Sequence, residues 1–194
     1  MNAKDPEMAQ VALSPGESCL SPASPEDWHI VQRFLFEEAA LLDQRRYRDW
    51  LRLFAPQFEY RVPARFHRQQ DGLKDDWAIN RELSGDDELP VVSHDRASME
   101  AQIIRIESGR AASDLPPWFT TRLITNVIAH YDAGASHFHV RSNFLIQRYK
   151  RGREQFIAGS RQDVLVRHDR DLSIASRQVV LGSDVYRWSN FALI

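Results

Sequence analysis

Phe119-Thr120-Thr121-Arg122-Leu123-Ile124-Thr125-Asn126-Val127-Ile128-Ala129-His130-Tyr131 is the stretch on which the fold turns. Its alternate positions read Phe, Thr, Leu, Thr, Val, Ala and Tyr, the two-residue period of an extended chain. Asp132-Ala133-Gly134-Ala135 follows with the composition of a hairpin loop. Further extended stretches are expected from Ser136 to Tyr149, Gln155 to Arg167 and Leu172 to Tyr186. Arg151-Gly152-Arg153 and His168-Asp169-Arg170-Asp171 separate them. Antiparallel strands of this length must twist and coil, so the sheet is expected to be curved, with bulges at Gly159 or Gly182 easing the bend.

Upstream of this sheet the period changes to that of helices. Ser24 reads as a cap, Pro25 as the first helical residue, and Asp27 stands three residues after the cap. Trp28, Val31, Phe34, Leu35, Leu41 and Leu42 then form a broad apolar stripe. A short second helix is expected with Tyr47, Trp50, Leu51 and Phe54 on one side, stopped by Pro56, before a brief strand from Phe58 to Pro63. Residues 64–94 read as polar and irregular, with an acidic turn at Gly85-Asp86-Asp87-Glu88. Asp95 caps a third helix carrying Met99, Ile103 and Ile106, closed by Gly109. Helices first and a meander afterwards indicate an α+β domain, with N-terminal helices packed in a strongly curved, mainly antiparallel sheet. Residues 1–24, with Pro6, Pro15 and Pro22 among serines, are expected to form a flexible arm, and residues 25–194 a single domain.

Composition removes whole classes of function. A net charge of -2 gives no field to attract nucleic acid or an anionic membrane. The single cysteine, Cys19, excludes an internal disulfide framework and a cluster held by cysteines of this chain alone. No apolar run approaches the roughly 18 residues needed to cross a bilayer, and no targeting segment is recognisable, so a cytoplasmic location is expected. There are 22 arginines and only 3 lysines, a skew that follows from a genome rich in G and C and that also suits planar, bidentate pairing with carboxylates at subunit contacts.

Catalytic signatures are missing: no GxSxG elbow, no phosphate-cradling loop, no HExxH and no CxxC. His137 and His139 point to one face of a strand, but no carboxylate lies beside them to complete a metal site, and none is expected. Asp43, Tyr47, Tyr60 and His94 are the candidates for a cofactor-free dehydratase or isomerase site, should they face a cavity inside the curved sheet. Trp28, Trp50, Phe54 and Phe58 read as core.

Leu41-Leu42-Asp43-Gln44-Arg45-Arg46-Tyr47-Arg48-Asp49-Trp50-Leu51 resembles the small (β) subunits of bacterial aromatic-ring-hydroxylating dioxygenases. The likeness returns in order at Arg105 to Arg110, Pro116-Pro117, Arg122 to Val127, Ser142 to Leu145 and Gly159 to Arg167. The chain departs from the family's pattern where Trp118-Phe119-Thr120-Thr121 replaces a Ser-Arg-Thr-Arg stretch, and where it ends in Ser189-Asn190-Phe191-Ala192-Leu193-Ile194. The resemblance implies a cone fold similar to nuclear transport factor and scytalone dehydratase. It also implies a non-catalytic structural role in an assembly of three large and three small subunits. No catalytic, cofactor-binding or metal residue is then expected here: the Rieske iron–sulfur cluster, the mononuclear non-haem iron and the substrate pocket belong to the large (alpha) subunit. Two sets of residues are expected at subunit interfaces. Arg161, Asp163 and Arg167 alternate along one strand as an arginine–acid–arginine row. Phe191, Leu193 and Ile194 form an apolar tail.

Overall fold

A computed structural model describes residues 20–67, 82–109, 115–169 and 171–185. In chain order the elements are β1 (Leu20–Pro22), α1 (Pro25–Asp43), α2 (Tyr47–Leu51), β2 (Phe54–Val62), β3 (Val92–His94), α3 (Arg96–Glu107), β4 (Phe119–Asp132), β5 (His137–Lys150), β6 (Arg153–His168) and β7 (Asp171–Leu181). They make one open seven-stranded sheet in the order β1-β4-β5-β6-β7-β2-β3. All pairings are antiparallel except β2 with β7. The helices and the inner face of the sheet share a single core that includes Val31, Leu35, Trp50, Tyr60, Met99, Phe138, Leu165 and Ile174. This is the expected α+β cone. No helix among the described residues is long and apolar enough to cross a membrane.

The helix starts follow their caps. The Ser24 hydroxyl accepts from the Asp27 N–H at 3.1 Å, and Asp95 accepts from the Ser98 N–H at 2.9 Å while Ser98 Oγ accepts from the Asp95 N–H at 3.0 Å. Gly109, at φ +63°, follows the third helix.

Several expectations give way. Leu20–Pro22, placed in the loose arm, pairs with β4 at His130–Asp132; residues 1–19 lie outside the described residues. Val92–His94, within the stretch read as irregular, pairs with β2. Phe54 opens β2 instead of ending a helix, and Pro56 lies inside that strand. The last strand ends at Leu181, short of Tyr186.

The bulges also fall elsewhere. They interrupt the register between Thr125 and Ile128 and between Val164 and Leu165, and not at a glycine. Asn126 takes φ +52° in the first of them, a conformation asparagine tolerates better than most residues. This bulge splits the alternation of residues 119–131: Phe119 and Leu123 face outward, whereas Ala129 is buried and Val127 and Tyr131 pack on the core. Gly159 has a different task. Phe144 lies opposite it across β5 and β6, with its ring over the glycine, and a Cβ there would sit 2.6 Å from Phe144 Cζ and 2.3 Å from the Val180 carbonyl oxygen.

β1 covers only three residues of the long β4 edge, and side chains of α1 and of the turn after it engage further backbone groups along that edge. The Arg122 N–H donates to Asp43 at 2.9 Å, Trp28 Nε1 donates to the Val127 carbonyl at 3.0 Å, and Arg45 donates to the Trp118 carbonyl at 2.8 Å. Backbone groups that would otherwise template another strand are thereby satisfied within the chain.

Candidate functional site

Helical spacing puts Leu35, Glu38, Ala39 and Leu42 on the core side of α1, so a carboxylate enters the middle of the cone with 0% exposure. The sheet answers with two arginines and an aspartate. Asp163 and Arg177 are directly opposite on β6 and β7, and Arg161 stands two residues before Asp163 on the same face. Arg177 donates to Asp163 through Nε at 2.7 Å and Nη2 at 3.2 Å, and to Glu38 through Nη2 at 3.0 Å and through Nη1. Arg161 Nη1 donates to Glu38 at 3.1 Å, and Trp50 Nε1 donates to its other oxygen at 2.9 Å.

Two carboxylates against two guanidinium groups leave the cluster formally neutral. Burial alone would raise the Glu38 carboxyl, but the Arg177 and Arg161 charges and the hydrogen bonds from Arg177 and Trp50 outweigh it, and the group is held at about 2 against an ordinary 4.5. Burial would likewise lower the Arg177 guanidinium, and the Asp163 and Glu38 carboxylates reverse this and raise it. Neither group has a proton to exchange near neutral pH. The cluster is a structural tie between α1, β6 and β7, with no group poised for acid–base work.

This placement corrects the expectation for Arg161 and Asp163. They are 3% and 2% exposed within the isolated chain, so they present no surface row; alternation told which residues share a face and not which face is inside. Arg167 pairs with Asp27 of α1 at 2.7 Å while remaining partly exposed. Phe191, Leu193 and Ile194 lie outside the described residues.

Asp43, Tyr47, Tyr60 and His94 do not converge. Asp43 is engaged by the backbone and guanidinium of Arg122 on β4, and Tyr47 packs at the edge of the core. Tyr60 and His94 are neighbours on β2 and β3, toward the opposite end of the sheet order, with ring centroids 6.4 Å apart. Burial pushes the His94 imidazole below its ordinary value, with Asp95 opposing. His137 and His139 lie on the outer face of β5, opposite Asp132 and His130, and no three His, Cys, Asp or Glu side chains are grouped for a metal ion among the described residues.

The outer face of the sheet carries what the interior lacks, an unsatisfied surface. Phe119 is 71% exposed, and Leu123 and Phe156 are each 57% exposed. Register brings them together: Phe119 faces Tyr149 across β4 and β5, Leu123 lines up with Leu145 and Ala158, and Phe156 faces Gln147. Clustered large apolar side chains of this kind mark protein contact surfaces. Trp118 stacks behind them beneath Arg148 and Lys150, at 4.5 and 5.1 Å from its ring centroid. The signal in the sequence was the Trp118-Phe119 departure, which places an aromatic where the family pattern has a polar stretch.

The family model described as ring hydroxylating beta subunit matches residues 37–187. This chain belongs to that family. A relative from Photorhabdus laumondii, the 3-phenylpropionate/cinnamic acid dioxygenase subunit beta, is 30% identical over 175 residues, covering 88% of this chain and 93% of its own length. Among solved structures, naphthalene 1,2-dioxygenase with indole bound in its active site contains a chain similar in fold, with a TM-score of 0.74, 22% identity, and coverage of 88% of this chain and 86% of that one. The cone fold extends to a putative scytalone dehydratase from Novosphingobium aromaticivorans, at a TM-score of 0.55, 14% identity, and coverage of 84% and 91%. In this beta subunit the centre of the cone is tied by Glu38, Asp163, Arg161 and Arg177, and the candidates for a dehydratase site do not converge: Asp43 is held against β4, whereas Tyr60 and His94 lie together on β2 and β3.

Proposed function

We propose that this chain is a non-catalytic structural subunit of a multicomponent aromatic-ring-hydroxylating dioxygenase, the enzyme class that adds both atoms of oxygen to an aromatic ring. Its partner is a large (alpha) subunit that holds the Rieske cluster, the mononuclear iron and the substrate pocket, in a cytoplasmic assembly of three large and three small chains. The apolar tail Phe191, Leu193 and Ile194 serves as a further subunit contact in this reading. The observation that carries it is the contrast of Phe119, Leu123 and Phe156, exposed on the outer face, with a core whose buried charges are spent on one another. The charges of the central cluster are paired with one another, and exposed aromatic surface gains by association.

The test is purification of the chain alone and with a large subunit encoded beside it. The chain alone is expected to carry no stoichiometric iron and to turn over no aromatic substrate. Co-expression is expected to give one complex that dihydroxylates an aromatic ring when supplied with O2 and a two-electron donor. Cofactor-free dehydration or isomerisation by the isolated chain, lost on replacing Tyr60 or His94, would replace this reading with the enzyme one.

A further inference from the structure

Two patches on this beta subunit complement each other and lie side by side on its outer face, where Arg61, which holds the second, is in register with Gln178 of the first. The first is a groove of about 540 Å³ on the outer face, running over β4 to β7 and walled on one side by β1. Arg141, Gln162 and Gln178 lie in register across its floor, and Ile128, Val164 and Leu20 supply its apolar part. The Arg141 side chain is exposed and makes no ion pair or hydrogen bond among the described residues.

The second patch is the turn from Gly85 to Leu89, in the segment that leads into β3. The Glu88 N–H donates to the Gly85 carbonyl at 3.2 Å, and the Gly85 N–H donates to Glu88 Oε2 at 2.9 Å. Arg61 donates to the Gly85 carbonyl at 2.5 Å and to Asp86 at 3.1 Å. Held from behind in this way, Asp87 is left without a partner among the described residues, and Leu89 is 91% exposed. A leucine so exposed on a turn ordered by four hydrogen bonds is a preformed anchor whose ordering cost is largely met before binding.

We propose that the acidic turn 85–89 of one copy of this chain seats in the outer-face groove of a second copy, with Asp87 against Arg141 and Leu89 against Ile128 and Val164. A second copy is the occupant because both halves of the pair, an unpaired acid beside an exposed leucine and an unpaired arginine beside an apolar wall, are carried by the same chain. With both patches on one face, two copies can exchange turns reciprocally about a two-fold axis, and a one-sided contact repeats into a ring where the rotation closes. The inference rests on the assembly role proposed above and specifies which surfaces the small chains offer one another.

The experiment measures association of the full chain with itself and with the large subunit by sedimentation velocity, at low and high salt. The variants are Arg141→Glu, Asp87→Lys, Leu89→Ser and the double exchange Arg141→Glu/Asp87→Lys, with melting curves to confirm folding. Each single change is expected to weaken copy-to-copy association at least about tenfold, and the double exchange to restore most of it, because like charges in contact cost affinity and opposite ones recover it. High salt is expected to narrow the differences between the charge variants. Singles that associate as the unaltered chain does, or a double exchange as weak as either single, would overturn the proposal. Singles that lose the large subunit but keep their own copies would name a different occupant and leave the assembly role standing. An unaltered chain that joins neither would remove both.

Discussion

The two faces of β6 are made from alternating residues of one strand, yet they have opposite fates. Arg161, Asp163 and Leu165 turn inward and are buried, while Phe156 and Gln162 turn outward and are exposed. Inside, Arg161 and Asp163 find their counterparts in the same chain: Glu38 from the helix, Arg177 from the next strand. Outside, Phe156, Leu123 and Phe119 find none. In the assembly role proposed above, the inner face carries the stability of the fold and the outer face its associations. A substitution is expected to report on one or the other according to the parity of its position.

The largest effects belong to the interior. Glu38→Ala leaves two buried guanidinium groups without their common carboxylate, and Asp163→Ala strips Arg177 of its side-on partner. Each is expected to cost roughly 3–5 kcal/mol in urea unfolding of the isolated chain, with assembly lost only as a consequence. An Asp163→Ala chain of normal stability that fails to assemble would put this residue back at an interface. The same carboxylate gives a pH signature. Because the Glu38 carboxyl is depressed to about 2 in the fold, its contribution is fully present above about 4.5 and is lost as pH falls from there through about 2. A Glu38→Gln chain is expected to start less stable and to show a smaller fall in melting temperature across that window. An identical fall would mean that other carboxylates govern acid unfolding.

Smaller effects follow. Gly159→Ala must push against the Val180 carbonyl and the Phe144 ring and is expected to cost about 1–3 kcal/mol, read from the shift in urea midpoint. Ser24→Ala removes the acceptor of the Asp27 N–H and is expected to cost about 1 kcal/mol. Phe119→Ser, Leu123→Ser and Phe156→Ser, at exposed positions, are each expected to change the isolated chain by no more than about 0.5 kcal/mol.

Much of the fold is legible in the sequence because local chemistry decides it. Ser24, Asp95 and Gly109 mark helix ends whatever lies around them, and on β5 the inward set Phe138, Val140, Phe144 and Ile146 is plainly more apolar than the outward set of His139, Arg141, Asn143 and Gln147. β6 is different: Phe156, Ala158, Val164 and Val166 on one face are as apolar as Ile157 and Leu165 on the other, so nothing local says that Arg161 and Asp163 go inside. Their direction is decided by Glu38 and Arg177, respectively 123 residues before Arg161 and 14 residues after Asp163, which is tertiary information. The sign in α1 was a carboxylate at a core position of an apolar stripe. The bulge at Asn126 was equally hidden, since one extra residue reverses parity without altering composition.

Sedimentation velocity of the triple variant Phe119→Ser/Leu123→Ser/Phe156→Ser with the large subunit tests the division between the faces most directly. The triple variant is expected to melt within a few degrees of the unaltered chain, consistent with changes of about 0.5 kcal/mol per exposed site, and to sediment free of its partners. A triple variant that enters the complex with unchanged affinity would show that the outer face is not the assembly surface.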